Sequence, residues 1–145
     1  MVGAGNASAE EVRLAEEVGR SLAGAGAVVV CGGLGGVMEA ACRGASEGGG
    51  VSVGLLPGSS RRDANRFVSV AVATGLGEAR NALVVRAADA LIAVGGEYGT
   101  LSEIALALKT GTPVVGLGSW EIDGVVRVET AEDAVARALE LAARA

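Results

Sequence analysis

Apolar runs and amphipathic stretches alternate along this chain of 145 residues. Continuous apolar runs predict buried strands, and these lie at residues 27–31, 51–56, 90–94 and 114–117, with two weaker strand patterns at 67–72 and 125–128. Apolar residues at helical spacing predict helices up to about residue 22 and at residues 37–47, 78–88, 101–110 and 131–143. Strands that alternate with helices are typical of a mostly parallel sheet with helices on both faces. The pattern therefore predicts a doubly wound, Rossmann-like α/β fold.

Short polar patterns mark where three of these helices begin. Ser8 and Glu11 have the spacing of a capping box, in which each side chain accepts a hydrogen bond from the other residue's backbone amide. Thr130 is the predicted N-cap of the last helix. Thr100 and Glu103 share the capping-box spacing, so one interpretation of Glu103 is that it only caps the fourth helix.

The chain is predicted to form one domain over residues 1–145, because no linker interrupts the alternation of strands and helices. Half of its residues are hydrophobic, and most of these are Ala, Val and Leu, which predicts a core of small side chains. Only Met1 and Val2 precede the first glycine turn. The first strand is therefore expected either to be very short or to begin upstream of Met1.

The charge distribution argues against large anionic partners. The net charge is −5 and the cations form no basic stripe, whereas binding to a nucleic-acid backbone needs clustered cations. No apolar run approaches the length of a membrane span, and the start lacks the layout of a signal peptide. We therefore expect no nucleic-acid partner, no membrane partner and a cytoplasmic location.

Residues that are scarce or absent exclude several chemistries. The chain has no His, and Cys31 and Cys42 form no CxxC pair, so neither a metal site nor a catalytic triad is predicted. Lys109 is the only lysine and follows an apolar helical run, which disfavours a Schiff base with pyridoxal phosphate. No lysine follows a glycine cluster, as a P-loop requires. We expect no resident cofactor, and we expect Cys31 to be an inert, buried residue.

Two glycine clusters lie where predicted buried strands lead into helices, and a third glycine turn follows the start of the chain. Glycine lets the backbone approach a ligand closely, and the amides of such loops can bind an anion beside the partial positive charge of a helix N-terminus. In open α/β sheets the carboxyl ends of the strands form the ligand crevice. The residues predicted to bind a phosphorylated ligand are Gly5, Asn6, Gly32, Gly33, Gly35, Gly36, Gly95, Gly96, Gly99 and Thr100.

The segments GGLGGVMEAA (32–41) and GGEYGTLSEIALAL (95–108) resemble those of the LOG-like Rossmann nucleotide-binding proteins. That family has been labelled "possible lysine decarboxylase", and it includes cytokinin-activating phosphoribohydrolases and molybdenum-cofactor carriers. The resemblance covers nearly the whole chain and is closest to an uncharacterised bacterial branch. It implies that the chain binds a phosphorylated, nucleotide-like small molecule and forms a homodimer or homotetramer. The motifs are specific for the superfamily and do not specify an activity.

The resemblance also implies a catalytic pair, Arg80 and Glu103, which match the arginine and glutamate that split the N-glycosidic bond of a nucleoside 5′-monophosphate in the hydrolases. A carboxylate can stabilise the developing oxocarbenium ion, and a guanidinium can orient it or bind a phosphate. The sequence departs from the hydrolase pattern, because Glu97 replaces a glycine and Asn81 replaces a basic residue. Two functions are left open, a phosphoribohydrolase and a non-enzymatic carrier or sensor of a nucleotide or of the molybdenum cofactor.

Other interpretations compete at single residues. Arg80 could be an ordinary solvated helix residue, and Asn6 could close an Asx-turn instead of binding phosphate. Tyr98 could stack on a base, pack against the protein or contact a second subunit. A dinucleotide oxidoreductase is disfavoured, because Cys31 and Gly32 lie where such an enzyme has an acidic residue.

Overall fold

The computed structural model describes residues 1–145 and contains seven strands. The strands are β1 (Val2–Gly3), β2 (Val29–Cys31), β3 (Ser52–Leu56), β4 (Val70–Ala73), β5 (Leu91–Val94), β6 (Val114–Leu117) and β7 (Val125–Val128). The helices are α1 (Ala9–Gly24), α2 (Val37–Glu47), α3 (Asn81–Arg86), α4 (Tyr98–Thr110) and α5 (Ala131–Ala142), with 3₁₀ turns at Arg61–Asp63 and Gly77–Arg80. None of the helices combines the length and the apolar character needed to cross a membrane.

All strand pairs are parallel and form two ladders, β1-β5-β6-β7 and β2-β3-β4. The amino group of Met1 donates a hydrogen bond to the carbonyl oxygen of Val30 over 2.9 Å. This bond places the start of β1 next to β2, so β1 lies between the two ladders. Successive strands run outward from β1 in both directions, and this is the switch point at which open α/β sheets form their crevice.

The helices cover both faces of the sheet, as the sequence predicts. One buried cluster of 18 residues joins α1, α2 and α5 to the sheet, and a second cluster of 8 residues joins α3 and α4 to the other face. Small residues let the helices of the first face approach closely. A Cβ atom on Gly19 of α1 would lie 2.1 Å from the carbonyl oxygen of Ala41, and one on Gly44 of α2 would lie 2.0 Å from that of Glu16.

Most predicted elements are confirmed, with shifts at their ends. The predicted capping box of Ser8 and Glu11 is present, and Thr130 accepts a hydrogen bond from the Asp133 amide as the N-cap of α5. The first strand is very short, since β1 has two residues. The strand expected at 67–72 is the edge strand β4 and begins at Val70, and the helix expected at 78–88 is divided into a 3₁₀ turn and the short α3.

The start of the fourth helix was predicted wrongly. α4 begins at Tyr98, and its N-cap is Glu97, whose side chain makes no capping hydrogen bond. Thr100 therefore lies inside the first turn and cannot act as the N-cap. Glu103 lies one turn further along the helix with only 8 % of its surface exposed, so the interpretation that it only caps the helix is excluded.

Candidate functional site

The glycine loops that follow β1, β2 and β5 lie at the same edge of the sheet. All three strands are parallel and adjacent, so their carboxyl ends point in one direction. The Val37 amide, just after the loop that follows β2, donates a hydrogen bond to the carbonyl oxygen of Ala4 over 3.0 Å. A Cβ atom on Gly36 would lie 2.3 Å from that same oxygen, so the loops after β1 and β2 touch. Gly3 pairs with Val94 in the sheet, which brings the β5 loop beside them.

Several backbone amides at this edge have no acceptor within the protein. Neither Gly35 nor Gly36 nor Gly96 donates a backbone hydrogen bond. No side chain caps the amino end of α2 or of α4. The first amides of a helix carry partial positive charge and have no partner inside the helix. The edge therefore presents unpaired donors from two loops and two helix starts, which is the electrostatic environment that an anion needs.

Two of the predicted glycines have their own amides already bonded. The Gly33 amide donates to Cys31 Sγ over 3.3 Å, and the Gly95 amide donates to the carbonyl oxygen of Leu117 over 3.1 Å. Both have positive φ, and a Cβ on Gly33 would lie 3.1 Å from Gly54 Cα. Gly33 and Gly95 therefore shape the loops, whereas the unpaired donors come from their neighbours.

Asn65 fixes the loop after β2, and sequence reasoning missed this role. Its amide group donates to the carbonyl oxygens of Leu34 over 2.9 Å and of Gly33 over 3.3 Å, and its own oxygen accepts from the Phe67 amide over 3.0 Å. Its backbone amide also donates to the Gly33 oxygen. The sequence shows Asn65 only as one polar residue of a long loop, so no local signal connects it to a glycine cluster more than thirty residues away.

Arg80 is buried at the site, so the interpretation as a solvated residue is wrong. Only 8 % of its surface is exposed, and its Nε atom has no hydrogen-bond acceptor. Its Nη1 atom lies so close to Gly32 that a Cβ there would be 1.8 Å away. Burial lowers the pKa of Arg80, while the charges of Glu103 and Cys31 act in the opposite direction. A buried guanidinium with an unpaired nitrogen is costly unless a partner arrives.

Glu103 is the buried acid of the site. Burial raises the pKa of Glu103 from 4.5 to about 7, and the positive charges of the Met1 amino group and of Arg80 only partly offset this. Arg80 and Glu103 are near enough to influence each other but form no ion pair, since none of their charged atoms approach within 4.0 Å. The protein therefore holds a cation and an acid at the same site without joining them.

An open cleft of about 390 Å³ continues the site along the ends of β5 and β6. It is lined by Gly95, Gly96 and the side chain of Glu11 on one side and by the segment 118–121 on the other. Ser119 Oγ is buried there without a hydrogen-bond partner. Sequence reasoning did not include Ser119, although Gly118 ends a buried strand in the same way as the recognised clusters.

Aromatic residues lie at the mouth of the cleft. Tyr98 is 82 % exposed and stacks on Trp120, with ring centroids 6.2 Å apart and an angle of 26° between the ring planes. Trp120 Nε1 donates to the carbonyl oxygen of Glu97 over 3.3 Å, and this bond ties the aromatic pair to the start of α4. Tyr98 therefore packs against Trp120 within the chain and still leaves most of its surface exposed to solvent.

The remaining predicted residues lie at the edge with free space around them. Nothing lies within 4 Å of a Cβ atom built on Gly5 or on Gly99. Asn6 is exposed and its side chain makes no hydrogen bond, so the Asx-turn that was one interpretation is not formed. Glu97 is exposed as well, which keeps its charge in solvent.

A second cavity, of about 370 Å³, lies at the opposite edge of the sheet. It is bordered by the segments 26–30 and 87–90, and 13 of its 15 lining residues are hydrophobic. Asp89 is the only charged side chain in its lining. It lacks the converging polar groups that mark a ligand site, so the chemistry of the molecule is concentrated at the glycine edge.

The parallel sheet, its switch point and the glycine edge define the class of the molecule: it is a Rossmann-like α/β protein. The chain belongs to the SLOG cluster4 family, whose model matches residues 1–143. This confirms the LOG-like, molybdenum-cofactor-carrier-like resemblance that the glycine motifs indicate.

Individual relatives agree with this family. An uncharacterised protein of Archaeoglobus fulgidus is 47% identical over 137 residues, which are 93% of this chain and 89% of that protein. The molybdenum cofactor binding protein of Rippkaea orientalis has 32% identity and a TM-score of 0.89, with 94% of this chain and 90% of that one covered. The molybdenum cofactor carrier protein of Chlamydomonas reinhardtii has 32% identity and a TM-score of 0.86, with 97% and 93% covered.

Proposed function

We propose that the chain binds and carries a small molecule that joins a phosphate group to a planar heterocycle, the chemical class of the molybdenum cofactor and of nucleoside monophosphates. One observation carries this proposal: the unpaired amides of Gly35, Gly36 and Gly96 lie at the same edge as the buried guanidinium of Arg80. Arg80 is buried and the three glycines are half-buried. Donors that are left unpaired and partly shielded from water cost free energy, and a bound phosphate would satisfy several of them together.

The phosphate would lie between the starts of α2 and α4. The amides of Gly35 and Gly36 would donate from the loop after β2. The amides of Gly96, Gly99 and Thr100 would donate from the loop after β5 and the first turn of α4. Gly5 has no atom close enough to obstruct a ligand beside the first loop, and Asn6 would add a side-chain donor there. Gly32, Gly33 and Gly95 would serve by leaving room for Arg80 and for the turns of the backbone.

The heterocycle would lie in the open cleft beside the phosphate. Tyr98 offers an exposed ring face at the mouth of that cleft, and stacking on an aromatic ring suits any flat heterocycle. Ser119 Oγ, buried and unpaired in the cleft lining, would form a hydrogen bond with a polar group on the ring. These positions would give the Tyr98–Trp120 pair a role in binding the ring of the ligand.

A carrier is favoured over a hydrolase by the relatives and by two residues that depart from the hydrolase pattern. Two structural relatives with 32% identity are described as a molybdenum cofactor binding protein and a molybdenum cofactor carrier protein. Glu97 and Asn81 replace residues of the hydrolase pattern. A carrier needs only to bind and release its ligand, so it does not need an arginine and a glutamate in direct contact. The absence of an ion pair between Arg80 and Glu103 is consistent with that role.

The phosphoribohydrolase remains a second candidate because of one observation on Glu103. A buried carboxyl whose pKa is about 7 is present in both protonation states at neutral pH, and general acid–base catalysis requires this balance. In this alternative, Glu103 would stabilise the oxocarbenium ion of a nucleoside 5′-monophosphate and Arg80 would orient the substrate.

The two functions are separated by measuring binding and turnover on the same preparation. Native mass spectrometry of the purified protein should show a phosphorylated heterocycle bound to the chain. Titration calorimetry with AMP as a probe should show saturable binding, and chromatography of the same mixture should show no free adenine. Adenine released in excess over protein, and lost in Glu103→Gln, would establish the hydrolase instead. Neither binding nor turnover, with nothing bound on purification, would exclude both functions.

A control variant tests whether binding occurs at the proposed edge. Arg80→Gln should weaken AMP binding at least about tenfold, the loss expected when a charged hydrogen-bond donor to a phosphate is removed. Arg86→Gln changes an exposed arginine at the end of α3 and should leave binding unchanged. Equal effects of the two substitutions would show that AMP responds only to the overall charge.

A further inference from the structure

The two cysteines of the chain meet beneath the glycine loop that follows β2. Cys31 ends β2 and Cys42 lies in α2, and their sulfur atoms are 3.5 Å apart across a separation of 11 residues. Both side chains are fully buried and both are free thiols. The candidate phosphate site accounts for neither of them. Two thiols held in van der Waals contact need only a small movement to reach bonding distance.

We propose that Cys31 and Cys42 form a redox-modification site, which closes to an intrachain disulfide on reaction with a hydroperoxide. The elements that hold the sulfurs support this. Cys31 is the last residue of β2, and Cys42 lies in the second turn of α2, the helix that follows the next loop. The short connection between the strand and the helix keeps the two sulfurs close together.

The surroundings of the pair favour one thiolate. The contact with the Cys31 thiol lowers the pKa of Cys42 to about 7, although burial acts in the opposite direction. The same contact raises the pKa of Cys31. The Met1 amino group also stabilises negative charge on Cys42. Cys42 is therefore the nucleophile and Cys31 the thiol that completes the bond, since the thiolate is the reactive form.

The reaction balances in two steps. The Cys42 thiolate attacks the terminal oxygen of the hydroperoxide, so that the O–O bond breaks, a sulfenic acid forms and the alkoxide leaves and takes up a proton. Cys31 then attacks the Cys42 sulfur, so that the S–S bond forms, the S–O bond breaks and water leaves with the Cys31 proton. The two thiols lose two electrons, and the hydroperoxide is reduced to an alcohol and water.

The disulfide would change the loop at the candidate ligand site. The Gly33 amide donates to Cys31 Sγ in the reduced protein. When that sulfur moves toward Cys42 and becomes part of a disulfide, it leaves the position in which it accepts from the Gly33 amide, and this hydrogen bond is lost. The oxidation state of the pair would therefore be communicated to the loop that carries the unpaired amides of Gly35 and Gly36.

The experiment uses the whole chain, reduced and then treated with hydrogen peroxide under native conditions. Intact mass should fall by two hydrogen atoms, both thiols should be lost to titration after denaturation, and a reductant should restore them. A peptide map should contain a fragment linking Cys31 to Cys42. In the nitrogen–proton correlation spectrum, the Gly33 resonance should shift. The readouts do not involve a ligand, so they are independent of the proposed carrier function.

Single variants show whether the pair acts as a unit. Cys31→Ala and Cys42→Ala each retain one thiol, and neither should reproduce the mass loss. Thiols that stay titratable in the native wild-type chain, oxygen addition without a linked fragment, or a disulfide only between two chains would each overturn the proposal. A linked fragment with an unshifted Gly33 resonance would overturn the communication to the loop.

Discussion

The guanidinium of Arg80 lies directly against the Cα atom of Gly32, so that a Cβ at that residue would be 1.8 Å from Nη1. Gly32 thus leaves the space that the buried arginine fills. The same hypothetical Cβ would lie 2.7 Å from Met38 Sδ, so a side chain at this position would meet both the arginine and the methionine. The glycine of the first loop and the arginine before α3 form one unit, although 48 residues separate them in the sequence.

Gly32→Ala should therefore displace Arg80 and abolish AMP binding, while the chain still folds. Overpacking of this kind costs roughly 1–3 kcal/mol of the free energy of unfolding, which chemical denaturation followed by circular dichroism would measure. Gly24→Ala is the matched control, because it lies near the end of α1 with open space around it. Unchanged binding by Gly32→Ala would show that the position of Arg80 does not matter for the ligand.

The glycines with open space provide a different test of the site. A Cβ on Gly99 meets no atom within 4 Å, and one on Gly35 meets only the Gly5 oxygen at 3.9 Å. Neither residue has a positive φ, so alanine is tolerated by the fold. If a ligand approaches the backbone there, Gly99→Ala and Gly35→Ala should each weaken AMP binding in calorimetry while leaving the Tm within a few degrees of wild type.

The control for this pair is again Gly24→Ala, which should change neither affinity nor Tm appreciably. Tight binding by both Gly99→Ala and Gly35→Ala would place the ligand elsewhere, because a ligand that contacted the backbone at these residues would collide with the added methyl groups. A large loss of Tm would point instead to a local packing role.

The sequence was sufficient to predict the fold, because strand and helix periodicity both survive in a chain with so few aromatic residues. α2 (Val37–Glu47) and β6 (Val114–Leu117) match their predicted bounds. α4 was misplaced by three residues, since the Thr100–Glu103 spacing imitates a helix start while the helix begins at Tyr98 without a side-chain cap. The sequence around residues 97–103 could not show that α4 begins without a side-chain cap at the carboxyl edge of the sheet.

The site was predicted in outline and missed in its long-range contacts. The glycine clusters and Arg80 are visible in the sequence because strand ends and family motifs mark them. The bonds of Asn65 to the first loop, and the meeting of Tyr98 with Trp120, join residues more than twenty positions apart. Such contacts depend on how β4 and β6 are ordered in the sheet, and no spacing in one sequence encodes that order.

Asn65→Ala should destabilise the loop after β2. The substitution removes the side-chain bonds to Gly33, Leu34 and Phe67. It leaves the Leu34 oxygen without a donor and the Phe67 amide without an acceptor, which costs roughly 2–4 kcal/mol of the free energy of unfolding. Asn6→Ala is the control, since Asn6 is exposed and its side chain makes no hydrogen bond within the protein. Equal stability of the two variants, measured by denaturant unfolding, would contradict the role assigned to Asn65.

The aromatic pair predicts how the protein treats the ring of its ligand. Tyr98→Ala should weaken AMP binding several-fold, because stacking of a ring on an aromatic side chain contributes about 1 kcal/mol. Tyr98→Phe should retain binding, since the ring and not the hydroxyl makes the contact. The Tm of both variants should remain near wild type, because Tyr98 is exposed. If Tyr98→Ala bound AMP as tightly as Tyr98→Phe, the ring would lie outside this cleft.

Glu103 makes the stability of the ligand-free protein depend on pH. Its pKa rises from 4.5 in the unfolded chain to about 7 in the folded protein, so the folded state binds the proton more tightly than the unfolded state does. Below pH 4.5 Glu103 is protonated in both states and its burial carries no charge penalty. Between pH 4.5 and 7 the unfolded chain loses this proton while the folded protein largely keeps it, so the penalty develops across this interval. It reaches about 3 kcal/mol above pH 7, because each pKa unit corresponds to about 1.4 kcal/mol.

Glu103→Gln removes that ionisation and keeps the shape of the side chain. The variant should have the stability of wild type near pH 4 and should be more stable above pH 7, by an amount that grows across the interval between these values. Denaturant unfolding of both proteins at a series of pH values measures the difference directly. Glu11→Gln, which changes an acid whose carboxylate takes part in the Ser8 capping box, should not show the same gain. Parallel stability curves for wild type and Glu103→Gln would mean that Glu103 is ionised in the fold, and the buried acid of the candidate site would then carry a full negative charge beside any bound phosphate.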